Sequence, residues 1–328
     1  MNTHEQRLDQ IRETARAGGD ITGPGVRPRG GPIPIRPGYY GEPVVRPPVW
    51  TWEIPVYFFV GGMGGMSAVI AAAAAASHHV DVARTAMLLA VFAAFASPVL
   101  LIMDLGRPAR FLNMLRVFKC QSTMSVGAWV LVFFSTVSVP AFLALEAHAR
   151  GLFAGAMDSL IRIAGGILLI GSALFGSVLA TYTGVLIGAT SVPAWFTHRK
   201  LLPIHFGTAA LGSAAAVLEL LGHRIMPLNA IGLIAAGMET ALALALLFNR
   251  HGAADRAVHE WPSGLLVQSA EVLTGPLALI LRTCGLIPLA AASFAIGALI
   301  SRFGWLSAGK VSGADPEAVF AAERNSAF

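Results

Sequence analysis

Residues 54–76 read IPVYFFVGGMGGMSAVIAAAAAA, and this stretch decides the fold. It carries no charge over 23 residues. About 20 apolar residues in helical form cross the hydrocarbon core of a bilayer, where a backbone must satisfy its own polar groups, so the stretch reads as a transmembrane helix. Its centre, Gly61-Gly62-Met63-Gly64-Gly65, is short of side-chain bulk, the composition that lets membrane helices approach closely.

Working outward, the same pattern recurs at 82–103, 124–145, 163–187, 203–221, 227–248, 264–281 and 285–301, the last two separated only by Arg282-Thr283-Cys284. The fold class is therefore an all-α integral membrane protein of about eight transmembrane helices, with N and C termini on the same side. Composition agrees. Hydrophobic residues make up 55% of the 328 and charged residues 12%, against roughly 25% charge in a soluble domain. Mean hydropathy is +0.67.

Residues 1–50 have no apolar core and do not read as a signal peptide. They are rich in Pro, Gly and Arg over 21–48, as a disordered tail or an extended arm lying on a partner would be, the arm reading applying best to 30–50. Residues 51–303 form the membrane domain and 304–328 a C-terminal tail. The net charge of +5 sits in loops beside spans, where topology explains it without nucleic acid. Of the 23 lysines and arginines, 18 fall on the side of the N terminus and five, including Arg282, on the other. That asymmetry predicts cytoplasmic termini. The two cysteines, Cys120 and Cys284, form no CxxC pair, so no iron–sulfur cluster or zinc site is expected in this chain. A haem b would need facing histidines inside the membrane, and only His205 lies clearly within a span. The His78-His79-x-Asp81 cluster reads as a solvated loop, and no metal site is expected.

Three further stretches carry a resemblance. One is Trp50-Thr51-Trp52-Glu53-Ile54-Pro55-Val56-Tyr57. The second is Asp104-Leu105-Gly106-Arg107-Pro108-Ala109-Arg110-Phe111-Leu112-Asn113, with Ser122-Thr123-Met124-Ser125 after it. The third is Thr181-Tyr182-Thr183-Gly184, followed by Ser191-Val192-Pro193-Ala194-Trp195. From about residue 38 to 320 the chain resembles the NrfD/PsrC family, the membrane subunits of polysulfide-reductase-like complexes. The resemblance implies two four-helix bundles in a bacterial inner membrane and a quinone site, menaquinone or ubiquinone. It also implies no haem, and partners bearing iron–sulfur clusters and a molybdopterin centre with Mo or W.

Depth along the spans supports such a site independently. Glu53 and Tyr57 open span one, and Asp104 closes span two. Tyr182 lies about five residues, roughly 8 Å, inside the end of span four, and His205 just inside span five. All five fall at one level. Quinone reduction takes two electrons and two protons, so each carbonyl oxygen needs a donor that can be reprotonated, and His, Tyr and carboxylates suit that task. In the family the site draws on the first and fourth helices, which points to Glu53, Tyr57 and Tyr182. A family member carries His at the position of Tyr57. Glu219, Glu239 and Glu271 lie within spans, where ionisable groups are costly and mark functional candidates. With Glu53 they suggest a stepped proton path. Arg107, Arg110, Arg116 and Lys119 cluster in one loop and suggest partner docking.

The expected function is that of the quinone-reactive, non-catalytic subunit of an oxidoreductase complex. It passes electrons between a cytoplasmic iron–sulfur partner and the quinone pool, with a formate dehydrogenase first and a sulfur-compound oxidoreductase second. A secondary transporter would also explain spans and buried carboxylates, but transporters often carry paired mid-span breaks, and none is evident. A passive anchor would need no polar groups at a common level.

Overall fold

The computed structural model describes Val45, Pro48 and residues 50–105, 110–248, 252–260 and 262–326, with the backbone alone at Arg110, Ala254 and 323–326. In chain order its helices are α1 (Glu53–Ala76), α2 (Val80–Asp104), the short α3 (Arg110–Met114), α4 (Thr123–Ala149), α5 (Gly155–Gly188), the short α6 (Pro193–Thr197), α7 (Leu201–Leu220) and α8 (Met226–Phe248). After a 3-10 turn come α9 (Arg256–His259), α10 (Ser263–Thr274), α11 (Pro276–Thr283), α12 (Ile287–Ala314) and α13 (Pro316–Ser326). The described residues form no strand. Eight stretches are long and apolar enough to span a membrane: α1, α2, α4, α5, α7, α8, α10 continued by α11, and α12. The expected all-α, eight-span class holds.

Helices α1, α2, α4 and α5 pack on one another, as do α7, α8, α10, α11 and α12; α1 and α5 meet α7, and α12 meets α1. The most interior are α7 and α1, with 72% and 61% of their most apolar stretch buried, against 28% for α4 and α8. The glycine cluster of the first span is what brings α1 and α5 together. Gly65 and Gly176 lie backbone to backbone, and a Cβ on either would strike the carbonyl oxygen of the other. Removing side chains at such a crossing is how membrane helices gain dispersion contact without a hydrophobic driving force.

Prolines show how lipid forces every backbone group to find a partner. Pro98 sits inside α2, has no N–H, and so cannot bond the carbonyl one turn earlier, that of Ala94. Ser135 of α4 donates to that oxygen instead, at 3.0 Å.

Three expectations are corrected. The seventh span is not continuous. Gly275, at φ −94° and ψ −104°, separates α10 from α11, and Pro276 restarts the helix. The break is capped locally: Gly275 donates to the Glu271 carbonyl at 2.9 Å and Ser293 to the Leu273 carbonyl at 2.8 Å. Arg282 is not a loop charge but a buried residue of α11. Arg302, one of the 18 cations assigned to the side of the N terminus, does not flank the last span either, because α12 runs on to Ala314 and buries it. The boundary drawn at 303/304 thus falls inside a helix. Taking these two arginines out of the loop tally leaves 17 on one side and four on the other. Residues 1–44, most of the N-terminal extension, lie outside the described residues, as does Arg107.

Candidate functional site

A cavity of about 210 Å³ opens between α1, α2, α4 and α5, with Trp50 and Met114 of α3 at its mouth. Tyr57 and Phe58 come from α1, Leu101 and Asp104 from α2, Ala128 from α4, and Tyr182 and Leu186 from α5. Three of the five residues read from depth therefore meet in one place: Tyr57, Asp104 and Tyr182. Both phenols are buried, at 3% and 7% exposure, and neither hydroxyl makes a hydrogen bond within the described residues. The two rings are near enough for charge on one to be felt at the other. Tyr182 reaches the cavity because Gly127 of α4 has no side chain; a Cβ there would overlap the Tyr182 ring and hydroxyl.

Glu53 joins through Thr51. The Thr51 hydroxyl lies within hydrogen-bonding reach of Glu53 Oε2 and, at 2.8 Å, of Asp104 Oδ1. The Thr51 N–H donates to the same Asp104 oxygen at 3.1 Å. Thr51 thereby links the two carboxylates, at the start of α1 and the end of α2. Depth alone gave no role to Thr51; only the ends of α1 and α2 in space bring it between the two acids.

His205 lies elsewhere. It is 3% exposed, its Nδ1 is 2.7 Å from Glu239 Oε2, and its Nε2 is 2.7 Å from Ser301 Oγ. Beside it Arg302, buried to 1% exposure, donates to the Phe206 carbonyl at 2.9 Å and stacks on the Phe206 ring at 3.7 Å. Glu271 of α10 faces the same region, close enough to Glu239 for their charges to interact. Glu219 does not. It is held in a two-pronged pair by Arg282, at 2.8 and 2.7 Å, and the guanidinium also donates to Asn229 at 2.9 Å. Asn229 and Glu239 are ten residues apart on α8, which is about 15 Å of helix.

The loop basic residues that are described, Arg116 and Lys119, are exposed beside exposed Val117 and Phe118. Arg110 starts α3. Inside the chain, α6 is locked to α12: Trp195 Nε1 donates to the Trp305 carbonyl at 2.7 Å, and Trp50 stacks on Trp195 with centroids 5.7 Å apart. No three His, Cys, Asp or Glu side chains among the described residues converge as metal ligands would.

The chain is thus an all-helical polytopic membrane protein with a mainly apolar cavity lined by two phenols. The family model for polysulphide reductase, NrfD, matches residues 43–230, more than half of the chain, and the chain belongs to that family. The family is one of membrane subunits of polysulphide-reductase- and molybdoenzyme-type complexes, typically partnered by iron–sulfur and molybdoenzyme subunits, and quinone-interacting in related complexes. No curated relative matches.

Proposed function

We propose that this chain is the quinone-reactive, non-catalytic membrane subunit of an oxidoreductase complex. The observation that carries the reading is the pair of unpartnered buried phenols, Tyr57 and Tyr182, turned on one cavity. The walls suit the ligand. Apart from the phenols and Asp104 they are mainly apolar. The volume of about 210 Å³ lies below the roughly 300–1,000 Å³ of sites that enclose whole drug-sized ligands, which fits a ring entering while its isoprenoid tail stays in lipid. A quinone supplies two-electron, two-proton chemistry. The phenols donate hydrogen bonds to its two carbonyl oxygens and hold it in register. Glu53 and Asp104, bridged by Thr51, return protons to the phenols from the aqueous edge. Glu239 and Glu271 extend the protonatable set inward, whereas Glu219, committed to Arg282, serves structure.

Seventeen loop and tail cations against four argue for cytoplasmic termini in a bacterial inner membrane. The cavity mouth, at the ends of α1, α2 and α5 nearest the N terminus, then faces a cytoplasmic iron–sulfur partner joined to a molybdopterin subunit. A formate dehydrogenase fits first and a sulfur-compound oxidoreductase second, with menaquinone or ubiquinone as the mobile carrier. Arg107, Arg110, Arg116 and Lys119 form the docking loop.

The test is made on the assembled complex. Tyr57→Phe and Tyr182→Phe keep the rings and remove the donors. Each is expected to lower quinone-linked turnover by about 10²-fold, the usual worth of a positioned acid–base group, while turnover with a soluble dye at the catalytic partner is unchanged. Undiminished quinone turnover in both variants overturns the reading. A transporter would show neither effect and a passive anchor would be indifferent to both.

A further inference from the structure

Four ionisable side chains from four helices share one buried region: His205 (α7), Glu239 (α8), Glu271 (α10) and Arg302 (α12). A Cβ on Gly275 would lie 3.0 Å from both the N and the Oγ1 of Thr240, so α8 presses directly on the interruption with Glu239 next to the contact. Glu271 stands one turn before it. Glu239 is the hub: it pairs with His205 at 2.7 Å and lies within electrostatic range of both Glu271 and Arg302. Four atoms of the group are buried without a hydrogen-bond partner among the described residues: Glu239 Oε1, Glu271 Oε1, Arg302 Nε and one terminal Arg302 nitrogen.

Charge balance then fixes a proton count. Net charge inside a membrane protein costs several kcal/mol, so a group this deep adopts the neutral total. Arg302 stays positive, since a guanidinium does not deprotonate in proteins. His205, Glu239 and Glu271 must together carry one negative charge. Two arrangements do so: one carboxyl is protonated beside a neutral imidazole, or both are ionised beside an imidazolium. They differ only in where a single proton sits. We propose that His205, Glu239 and Glu271 form a proton-holding site buried among the spans that carries one exchangeable proton against the fixed charge of Arg302. The site exchanges toward the cavity side, where His205 lies five residues into α7, because the outward neighbour Glu219 is committed to Arg282. Its use in quinone chemistry rests on the function proposed above; its proton count does not.

Dicyclohexylcarbodiimide reads that count. A buried carboxylic acid adds its O–H across one C=N bond, the proton going to nitrogen and the carboxyl oxygen to carbon, and the adduct rearranges to a stable acylurea with nothing lost. Peptide mass spectrometry of the treated, purified complex is expected to find one adduct per chain, on Glu271 or Glu239. Glu239→Gln leaves Glu271 as the sole counter-charge of Arg302, so labelling falls at least tenfold. Arg302→Gln requires two protons and raises labelling toward two adducts. His205→Gln keeps one. Glu239→Gln combined with Arg302→Gln restores the adduct on Glu271, which a variant that merely misfolds would not do. No adduct in the native complex, or one that persists undiminished in Glu239→Gln, overturns the proposal. The readout needs no quinone turnover, so failure of the tyrosine variants and failure here are distinguishable.

Discussion

The two halves of the membrane domain bury polarity in opposite ways. Among α1, α2, α4 and α5 the buried polar groups around the cavity are neutral phenols, and charges stay at helix ends: Thr51 with Glu53 and Asp104 at one end, Arg84 and Arg150 clasping Glu146 at the other. Among α7, α8, α10, α11 and α12 the charges lie inside the spans, Glu219 paired with Arg282 and Glu239 with His205, with Glu271 and Arg302 packed in beside them. The difference has a physical cause. A phenol left without a partner costs little enough to wait for a ligand, so a cavity survives beside it. A buried ion without a partner costs far more, so packing closes around it. An open site and a charged core are alternatives, and this chain gives one to each half.

The largest expected effect tests the charged half. The Glu219 and Arg282 side chains are at most 2% exposed. Removing either partner leaves an uncompensated ion, a loss of about 3–5 kcal/mol, so Glu219→Leu or Arg282→Leu alone is expected to prevent accumulation of the complex. The combined variant replaces the pair by apolar volume and is expected to restore thermal stability close to that of the native chain. It is also expected to retain quinone turnover. A stable double variant that has lost turnover would make Glu219 part of the proton route and would erase the distinction between the outer pair and the site around Glu239.

A smaller effect tests the open half. Gly127→Ala puts a methyl group where the Tyr182 ring lies. Overpacking of this kind costs about 1–3 kcal/mol, which the ring can relieve by swinging out of the cavity. Quinone-linked turnover is expected to fall about tenfold, with the increase in KM exceeding the change in kcat, while carbodiimide labelling near Glu271 is untouched. Loss of that labelling would show the halves to be coupled through α1 and α7.

The sequence made one half more legible than the other. Tyr57, Asp104 and Tyr182 could be brought to one level by counting residues from the ends of uncharged spans, at 1.5 Å each, and that arithmetic is robust when the ends are clear. It fixes height but not rotation. His205 stands at a similar height yet turns toward α8 and α12, and α7, buried on most sides, carries too few polar residues to show which neighbour its histidine meets. Arg302 was lost for a different reason: a lone arginine after an alanine-rich run looks like the end of a span. The signal against that reading was present in Phe303, Trp305, Leu306 and Ala308, apolar residues that continue the helix for twelve positions to Ala314. The break in the seventh span is likewise written in Gly275-Pro276, a breaker dipeptide masked by its apolar flanks. Thr51 carried no local sign, since its bond to Asp104 joins residues 53 positions apart.

The smallest expected effect lies outside both halves, at the loop between α2 and α4. Arg116 and Lys119 are exposed, and Met114, two residues before Arg116, lines the cavity mouth. If the proposed function holds, the electron-delivering partner approaches over that loop, and exposed charges of this kind govern the rate of encounter more than the strength of the final contact. Arg116→Glu is therefore expected to reduce co-purification of the iron–sulfur partner several-fold at low salt and to leave the cavity, the labelling near Glu271 and the stability of the isolated subunit unchanged. Adding salt should narrow the gap between variant and native chain, because screening weakens the native attraction and the introduced repulsion together. Equal partner recovery at every ionic strength would remove the loop from the docking surface and would shift attention to Trp50 and α6, the other elements at that end of the molecule.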